Sequence, residues 1–335
     1  MKKVSKIIAL LLIVAFVAVA AAGCGGSQPA QQQQSKKIVV GFSQVGAETE
    51  WRIAMSKIMR DEFGKQPKYE LIFSDAQQKQ ENQLKAIRTF IQQKVDFIVF
   101  APVVQTGWDA VLGEAKEAKI PVIVINRALK LSSAKPEDLS LCLIAPDNID
   151  AGRLVANYLI QQTKDKQGTV NVVQLEGTVG AASAVDRKTG FEEVIKGQSK
   201  LKIVKSQTGD YTRAKGKEVM EAFLKSAKAE GTKIDVVFAQ SDDMAIGAMQ
   251  AIEEAGLKPG KDMVIVSIDG VKGAFEAMIA GKLAATVENP VDYATPLIKV
   301  LEDYQAKKEI PKWVKLEFKL YPAEVAAKEL PNRKY

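Results

Sequence analysis

The sequence predicts an α/β protein whose parallel sheets are divided between two lobes, and three observations carry that expectation. From Lys36 onward, short β-rich runs alternate with amphipathic stretches of helical length, the pattern of repeated βα units. Several runs are continuously apolar: IVV at Ile38–Val40, FIVF at Phe97–Phe100, VIVI at Val122–Ile125 and VIVS at Val264–Ser267. Such runs suit central parallel strands covered on both faces. The 335 residues exceed one domain of ~100–200 residues, and so many units divide naturally into two.

The first segment belongs to neither lobe. Met1–Lys6 carries three lysines and no acid, and Ile7–Ala22 is an unbroken apolar run, the n- and h-regions of a signal peptide. That run falls short of the ~20 residues a membrane-spanning helix needs. It ends in Ala21-Ala22-Gly23-Cys24, which resembles a bacterial lipobox with Ala21 where Leu is usual. The resemblance implies cleavage before Cys24, lipidation of its sulfur, and a body held on the extracytoplasmic face of the membrane. An ordinary signal peptide with an incidental cysteine is the plainer alternative. Gly25–Ser35, GGSQPAQQQQS, has the composition of a flexible tether. Cys142 is then left without a partner and is expected to be a buried thiol.

Ten strands are expected in the body, at Lys37–Ser43, Tyr69–Ser74, Phe97–Ala101, Val122–Asn126, Leu141–Ala145, Val170–Glu176, Lys202–Gln207, Val236–Gln240, Met263–Ile268 and Ala284–Glu288. Helical period joins them: Leu84, Ile87, Ile91 and Val95 fall on one face, as do Ala245, Ala248, Met249 and Ile252. Asp242 is the N-cap candidate of the second of these helices, and Gly256 closes it. The chain is expected to cross between lobes near Ala145-Pro146-Asp147 and again near Glu288-Asn289-Pro290, where a strand stops at proline.

Composition removes whole classes of chemistry. The chain has no histidine and only two cysteines, so Ser-His-Asp, Cys-His and His-ligated zinc or haem mechanisms are excluded. Its 47 basic and 40 acidic residues give +7, but removal of Lys2, Lys3 and Lys6 leaves 44 against 40, too weak a balance to argue for nucleic acid. No P-loop or dinucleotide fingerprint is present, and no cofactor or metal is expected.

Ligands of open parallel sheets bind beyond the carboxyl ends of the strands. Those ends carry Ser43-Gln44, Asp75, Pro102, Asn126-Arg127, Glu176-Gly177, Ser241-Asp242, Asp269-Gly270 and Glu288. The set suits a polyol: planar groups with fixed donors or acceptors satisfy neighbouring hydroxyls, Trp51 covers an apolar C–H face, and Arg187 supplies a second guanidinium. Each residue also has a plainer role. Asp75, Asp147 and Asp242 fit helix caps, Trp51 fits a core aromatic, and Lys196–Lys205 fits a solvated face. Asp75, Asp269 and Glu288 leave a glycosidase pair open, though nothing selects one.

Longer stretches resemble a known family. They are GFSQVGAETEWR at Gly41–Arg52, DAQQKQENQ at Asp75–Gln83, APVVQTGW at Ala101–Trp108, EGTVGAASAVDRKTGF at Glu176–Phe191, GDYTRAKGKEVMEAF at Gly209–Phe223, and QSDDMAIGA with SIDGV around Ser241 and Asp269. Together they are similar to the type I periplasmic sugar-binding proteins of bacterial ABC importers, the ribose and galactose group, and most of all to its galactofuranose-binding branch.

That resemblance implies two Rossmann-like lobes joined by a three-segment hinge and closing on a monosaccharide. It implies a first lobe of residues 36–146 with 290–316 and a second of 147–289 with 317–335, after a leader at 1–23 and a tether at 24–35. It places first-lobe contacts on Glu48, Thr49, Trp51, Arg52, Asn126 and Arg127, and second-lobe contacts on Arg187, Ser241 and Asp269, with Glu288 at the hinge. Two positions depart from the family pattern: Asn126-Arg127 stands where Asp-Arg is common, and Ser241-Asp242 where Asn-Asp is.

The implied partners are a monosaccharide, an ABC permease with its ATPase, and the membrane through Cys24, with no nucleic acid and a monomeric body. A sensor presenting sugar to a chemoreceptor or histidine kinase, and a nucleoside-binding lipoprotein, are the alternatives. A transcriptional regulator sharing the core would need a helix-turn-helix where the leader and tether stand.

Overall fold

The computed structural model describes residues 36–335. The leader, Cys24 and the tether lie outside the described residues. Within them the strands are β1 (Ile38–Gln44), β2 (Tyr69–Asp75), β3 (Phe97–Phe100), β4 (Val122–Ile125), β5 (Cys142–Pro146), β6 (Val170–Glu176), β7 (Leu201–Thr208), β8 (Val236–Ala239), β9 (Val264–Asp269), β10 (Ala285–Glu288), β11 (Trp313–Leu316) and β12 (Lys319–Pro322). The helices are α1 (Glu50–Gly64), α2 (Gln80–Gln92), α3 (Asp109–Glu117), α4 (Pro136–Leu139), α5 (Asn148–Thr163), α6 (Ala182–Ile195), α7 (Arg213–Glu230), α8 (Asp242–Glu254), α9 (Lys272–Ile279), α10 (Ala294–Gln305) and α11 (Ala326–Glu329). No helix among the described residues is long and apolar enough to cross a membrane.

The strands form two six-stranded sheets, ordered β11-β5-β4-β3-β1-β2 and β12-β10-β9-β8-β6-β7. Every pairing is parallel except β12 against β10. The continuously apolar runs do lie centrally: β3, β4 and β8 are buried along their whole length, with helices packed over both faces. The ten expected strands are all present, and β11 and β12 are additional. Both are edge strands of four residues that carry an exposed lysine, Lys315 in β11 and Lys319 in β12. That pattern protects an edge from further pairing and also hides the strand from a search for apolar runs.

Two helices differ in detail from expectation. The buried line of α2 is Gln83, Ala86, Ile87 and Phe90. Leu84 and Ile91 flank it half-buried, and Val95 lies past the helix end. A glutamine holds the inner face because its amide braces the sheet, donating to the carbonyls of Ser43 and Ala101 and accepting from the Val103 amide. In α8 the N-cap is Ser241, whose hydroxyl accepts from the Met244 amide at 3.2 Å, and Asp242 is the first helical residue. The expected apolar face of α8, Ala245, Ala248, Met249 and Ile252, is buried. Cys142 is a buried free thiol, and burial pushes it up to about 12.

Close helix contact positions the second sheet's site residues. A Cβ at Gly152 of α5 would sit 2.1 Å from the Arg187 carbonyl, and one at Gly190 of α6 would sit 2.0 Å from the Ile149 carbonyl. Two glycines thus let α5 and α6 touch backbone to backbone, and Arg187 leaves α6 at that contact.

Candidate functional site

Loops after the carboxyl ends of both sheets meet around a small, polar cavity of about 20 Å³. Glu48, Thr49, Trp51, Arg52, Asn126 and Arg127 enter it from the first sheet's side, and Ser183, Arg187, Tyr211 and Asp269 from the second's. Asn289, just past β10, completes the wall. Thr49 caps α1 through its hydroxyl, which accepts from the Arg52 amide, so Trp51 and Arg52 occupy the first turn and point into the cleft. The Trp51 indole N–H donates to the Asn289 carbonyl at 2.9 Å, and its ring meets Tyr293 edge to face at 6.1 Å.

Three guanidiniums and two carboxylates share this small volume. Arg52 lies 3.3 Å from Glu48 and donates to Asn126 Oδ1 at 3.1 Å; Arg187 lies 3.7 Å from Asp269 and donates to the Gln240 carbonyl. Arg127 forms no ion pair among the described residues and donates instead to the carbonyls of Pro102 and Val103. Burial, with Arg52 close by, pushes the Arg127 guanidinium down to about 10. Burial likewise raises the Asp269 carboxyl to about 6, against the pull of Arg187. Arg52, Arg127, Arg187 and Asp269 are each at most 5% exposed, so these charges act with little screening from water.

The Tyr211 ring lies near two cations, 5.4 Å from the Arg127 guanidinium and 5.8 Å from that of Arg187. Its hydroxyl pairs with Ser183 at 2.8 Å. Gly177 lets the ring settle there, since a Cβ at that position would be 2.0 Å from Tyr211 Cζ. Asn126 (φ +69°), Tyr211 (φ +65°) and Asp269 (φ +135°) all carry positive φ. Such conformations cost on the order of 1–3 kcal/mol each and gather where a side chain must be aimed at a ligand.

Three buried polar atoms of the lining find no hydrogen-bond partner among the described residues: Glu48 Oε2, Arg127 Nε and Asn289 Oδ1. Buried polar groups are normally paired. Two acceptors and a donor around one small space are therefore groups held ready for a molecule that both donates and accepts.

Residues 38–309 match the family described as "Periplasmic binding protein domain". The chain belongs to the periplasmic binding protein family. This periplasmic binding protein is 46% identical over 298 residues to the galactofuranose-binding protein YtfQ of Escherichia coli, covering 89% of this chain and 92% of that one. It is 32% identical over 300 residues to the fructose import binding protein FruE of Bifidobacterium longum, covering 89% and 88%. Among solved structures it is similar to the periplasmic binding protein component of the arabinose ABC transporter from Shewanella sp. ANA-3 bound to α- and β-L-arabinofuranose. That likeness has a TM-score of 0.83 at 46% identity, over 88% of this chain and 95% of that one. Its relatives are solute-binding proteins, and it too is a binding protein rather than an enzyme.

Eight of the ten sequence-predicted ligand residues of this periplasmic binding protein line the cavity; Ser241 and Glu288 do not. Ser241 is turned away as a cap, its hydroxyl also donating to the Tyr211 carbonyl. Glu288 faces the opposite side of β10, where it pairs with Arg333. Asn289, just past the strand end, reaches the cavity instead. Ser183, Tyr211 and Asn289 are lining residues that sequence reasoning missed. The Asn289-Pro290 break held a usable signal for the last of these, and Tyr211 and Ser183 lie inside the family-like stretches without an end-of-strand position to mark them.

Proposed function

We propose that this protein captures one neutral monosaccharide, a galactofuranose or a galactose-like sugar, between two lobes that close by hinge motion, and delivers it to an ABC permease driven by its ATPase. The three unpartnered atoms of the lining carry this reading, because a sugar hydroxyl supplies both the donor and the acceptor they lack. The faces that could stack a nucleobase are engaged: Arg52 lies over Trp51 at 4.9 Å, and both Arg127 and Arg187 lie over Tyr211. The galactofuranose and arabinofuranose named for two of the relatives agree with a five-membered ring.

The same reading sets the lobes at 36–146 with 290–316 and 147–289 with 317–335, with Cys24 lipidated and the body on the extracytoplasmic face as a monomer. With Ser241 serving as a cap, the choice among sugars falls on Asn126, which receives Arg52 and donates to the Tyr293 hydroxyl at 3.1 Å.

Calorimetry on the body from Lys36, titrated with L-arabinose, D-galactose, a galactofuranose source and adenosine, tests the ligand class. Binding of a sugar and not of adenosine is expected, and binding of adenosine alone would overturn the reading. Mutation of Cys24 to alanine is expected to move the protein from the membrane fraction to the soluble one.

A further inference from the structure

Asp242 lies outside the cavity lining, yet its carboxylate reaches across to the turn that carries Asp269. One oxygen accepts from the Val271 amide at 2.8 Å. The other accepts from the hydroxyls of Ser267 on β9 and Thr286 on β10, the latter at 2.7 Å. Thr286 Oγ1 in turn accepts from the Gly270 amide at 3.3 Å. Both amides that follow Asp269 are therefore held from Asp242, one directly and one through Thr286. The Asp269 carbonyl accepts from the Asn289 amide at 3.1 Å, which fixes the other side of the turn. Asp269 itself sits at φ +135°, a conformation a non-glycine residue keeps only when its surroundings impose it. Asp242, Ser267 and Thr286 are all buried, so this bracket works without competition from water.

We propose that Asp242 is a positioning residue for ligand binding: through Val271 and through Thr286 it holds the Asp269–Gly270–Val271 turn so that the Asp269 carboxylate faces Arg187 and the ligand. Asp242 is thus not the cap of its own helix but the anchor of a neighbouring turn. The effect on affinity rests on the sugar-binding reading above, whereas the effect on the turn does not.

Ser267 and Thr286 give the same oxygen of Asp242 one hydrogen bond each, but only Thr286 passes a bond on to the turn. Comparison of the two separates positioning from bulk stability. With L-arabinose and D-galactose as probes, Thr286→Val is expected to raise Kd about tenfold or more, Thr286→Ser to restore it, and Ser267→Ala to leave it within about twofold, although both deletions cost a buried hydrogen bond. Asp242→Ala is expected to weaken binding further; if it does not fold, the Thr286 and Ser267 pair decides. Equal effects of Thr286→Val and Ser267→Ala on Kd, or none from either, would overturn the proposal.

A crystal structure of Thr286→Val without ligand provides the second arm. Asp269 is expected to leave its positive φ and to withdraw from Arg187 beyond the 3.7 Å separation of the native site. An unchanged turn overturns the positioning role whatever sugar is bound. Wild-type protein that binds neither probe counts against the sugar reading alone and leaves the turn geometry to decide.

Discussion

Arg127 shows how one side chain trades stability for recognition. It is buried, pushed down to about 10, and held by backbone carbonyls rather than by a carboxylate, with its Nε left unpartnered. Keeping such a cation dry without an ionic partner is costly to the folded state. Replacing it with an apolar chain of similar length removes that cost together with the contact. Arg127→Met is expected to weaken sugar binding about 10- to 150-fold, as hydrogen bonds to a charged group are worth ~1.5–3 kcal/mol, and to leave the ligand-free melting temperature unchanged or higher. Calorimetry and thermal unfolding check both halves; unaltered affinity would remove Arg127 from the site. Arg127 and Asn126 were legible in the sequence because they follow directly on the apolar run of β4. Glu288 was read in place of Asn289, since the sequence does not show that Glu288 pairs with Arg333, far along the chain.

Helices α5 and α6 show the same coupling between packing and site. The backbone contact at Gly152 and Gly190 sets where α6 lies and therefore where Arg187 points. Gly190→Ala would place a methyl 2.0 Å from the Ile149 carbonyl, and overpacking of this kind costs ~1–3 kcal/mol. A lower melting temperature together with a raised Kd is expected, because the helix must retreat and take Arg187 with it. A destabilised protein with native affinity would show that the guanidinium is placed by something else. The elements themselves were largely readable: β3, β4, β8 and β9 announce themselves by buried apolar runs, and the edge strands β2 and β7 by β-rich composition although few of their residues are buried. The four-residue strands β11 and β12 exist because a neighbouring edge accepts them, which is tertiary information. The inner face of α2 was misplaced for a related reason, as Gln83 is buried by the strand carbonyls it satisfies.

Across the whole molecule the buried acids set an unusual pH response. Burial raises Asp186 and Asp269 to about 6, each from 3.8, and pushes Asp242 up as well, against the hydrogen bonds it accepts from Ser267, Thr286 and Val271. Asp242 also feels Asp269, Asp186 feels Asp147 and is eased by Arg187, and Asp269 faces Arg187, Arg52 and Asp243. With folded values raised, the folded state binds more protons than the unfolded chain from about pH 4 to above pH 6, so their contribution is present at low pH and lost as pH rises through the folded values. Asp109, lowered to about 2 by hydrogen bonds from Ser133 and then Ser132, acts only below that window. The ligand-free body is expected to melt at a higher temperature at pH 5 than at pH 8, and the reverse order would contradict these assignments. The rim adds a second whole-molecule contact: Arg213 joins Glu50 at 2.7 Å and Asp243 at 3.0 Å, and the Glu50 amide donates to Asp243 at 2.9 Å. Half-exposed pairs are worth ~0–1 kcal/mol, so Arg213→Gln is expected to speed sugar release up to about fivefold in stopped-flow measurements. Unchanged release would show that this contact does not hold the cleft shut. Trp51 has one further consequence. Its indole is sealed against Asn289, whereas Trp108 lies in the interior of the first sheet's core and Trp313 stands 43% exposed on an edge. On the proposed hinge closure, Trp51 is expected to lose its contact with Asn289 as the cleft opens, so a shift in tryptophan emission on adding sugar would report the state of the gate without any added dye.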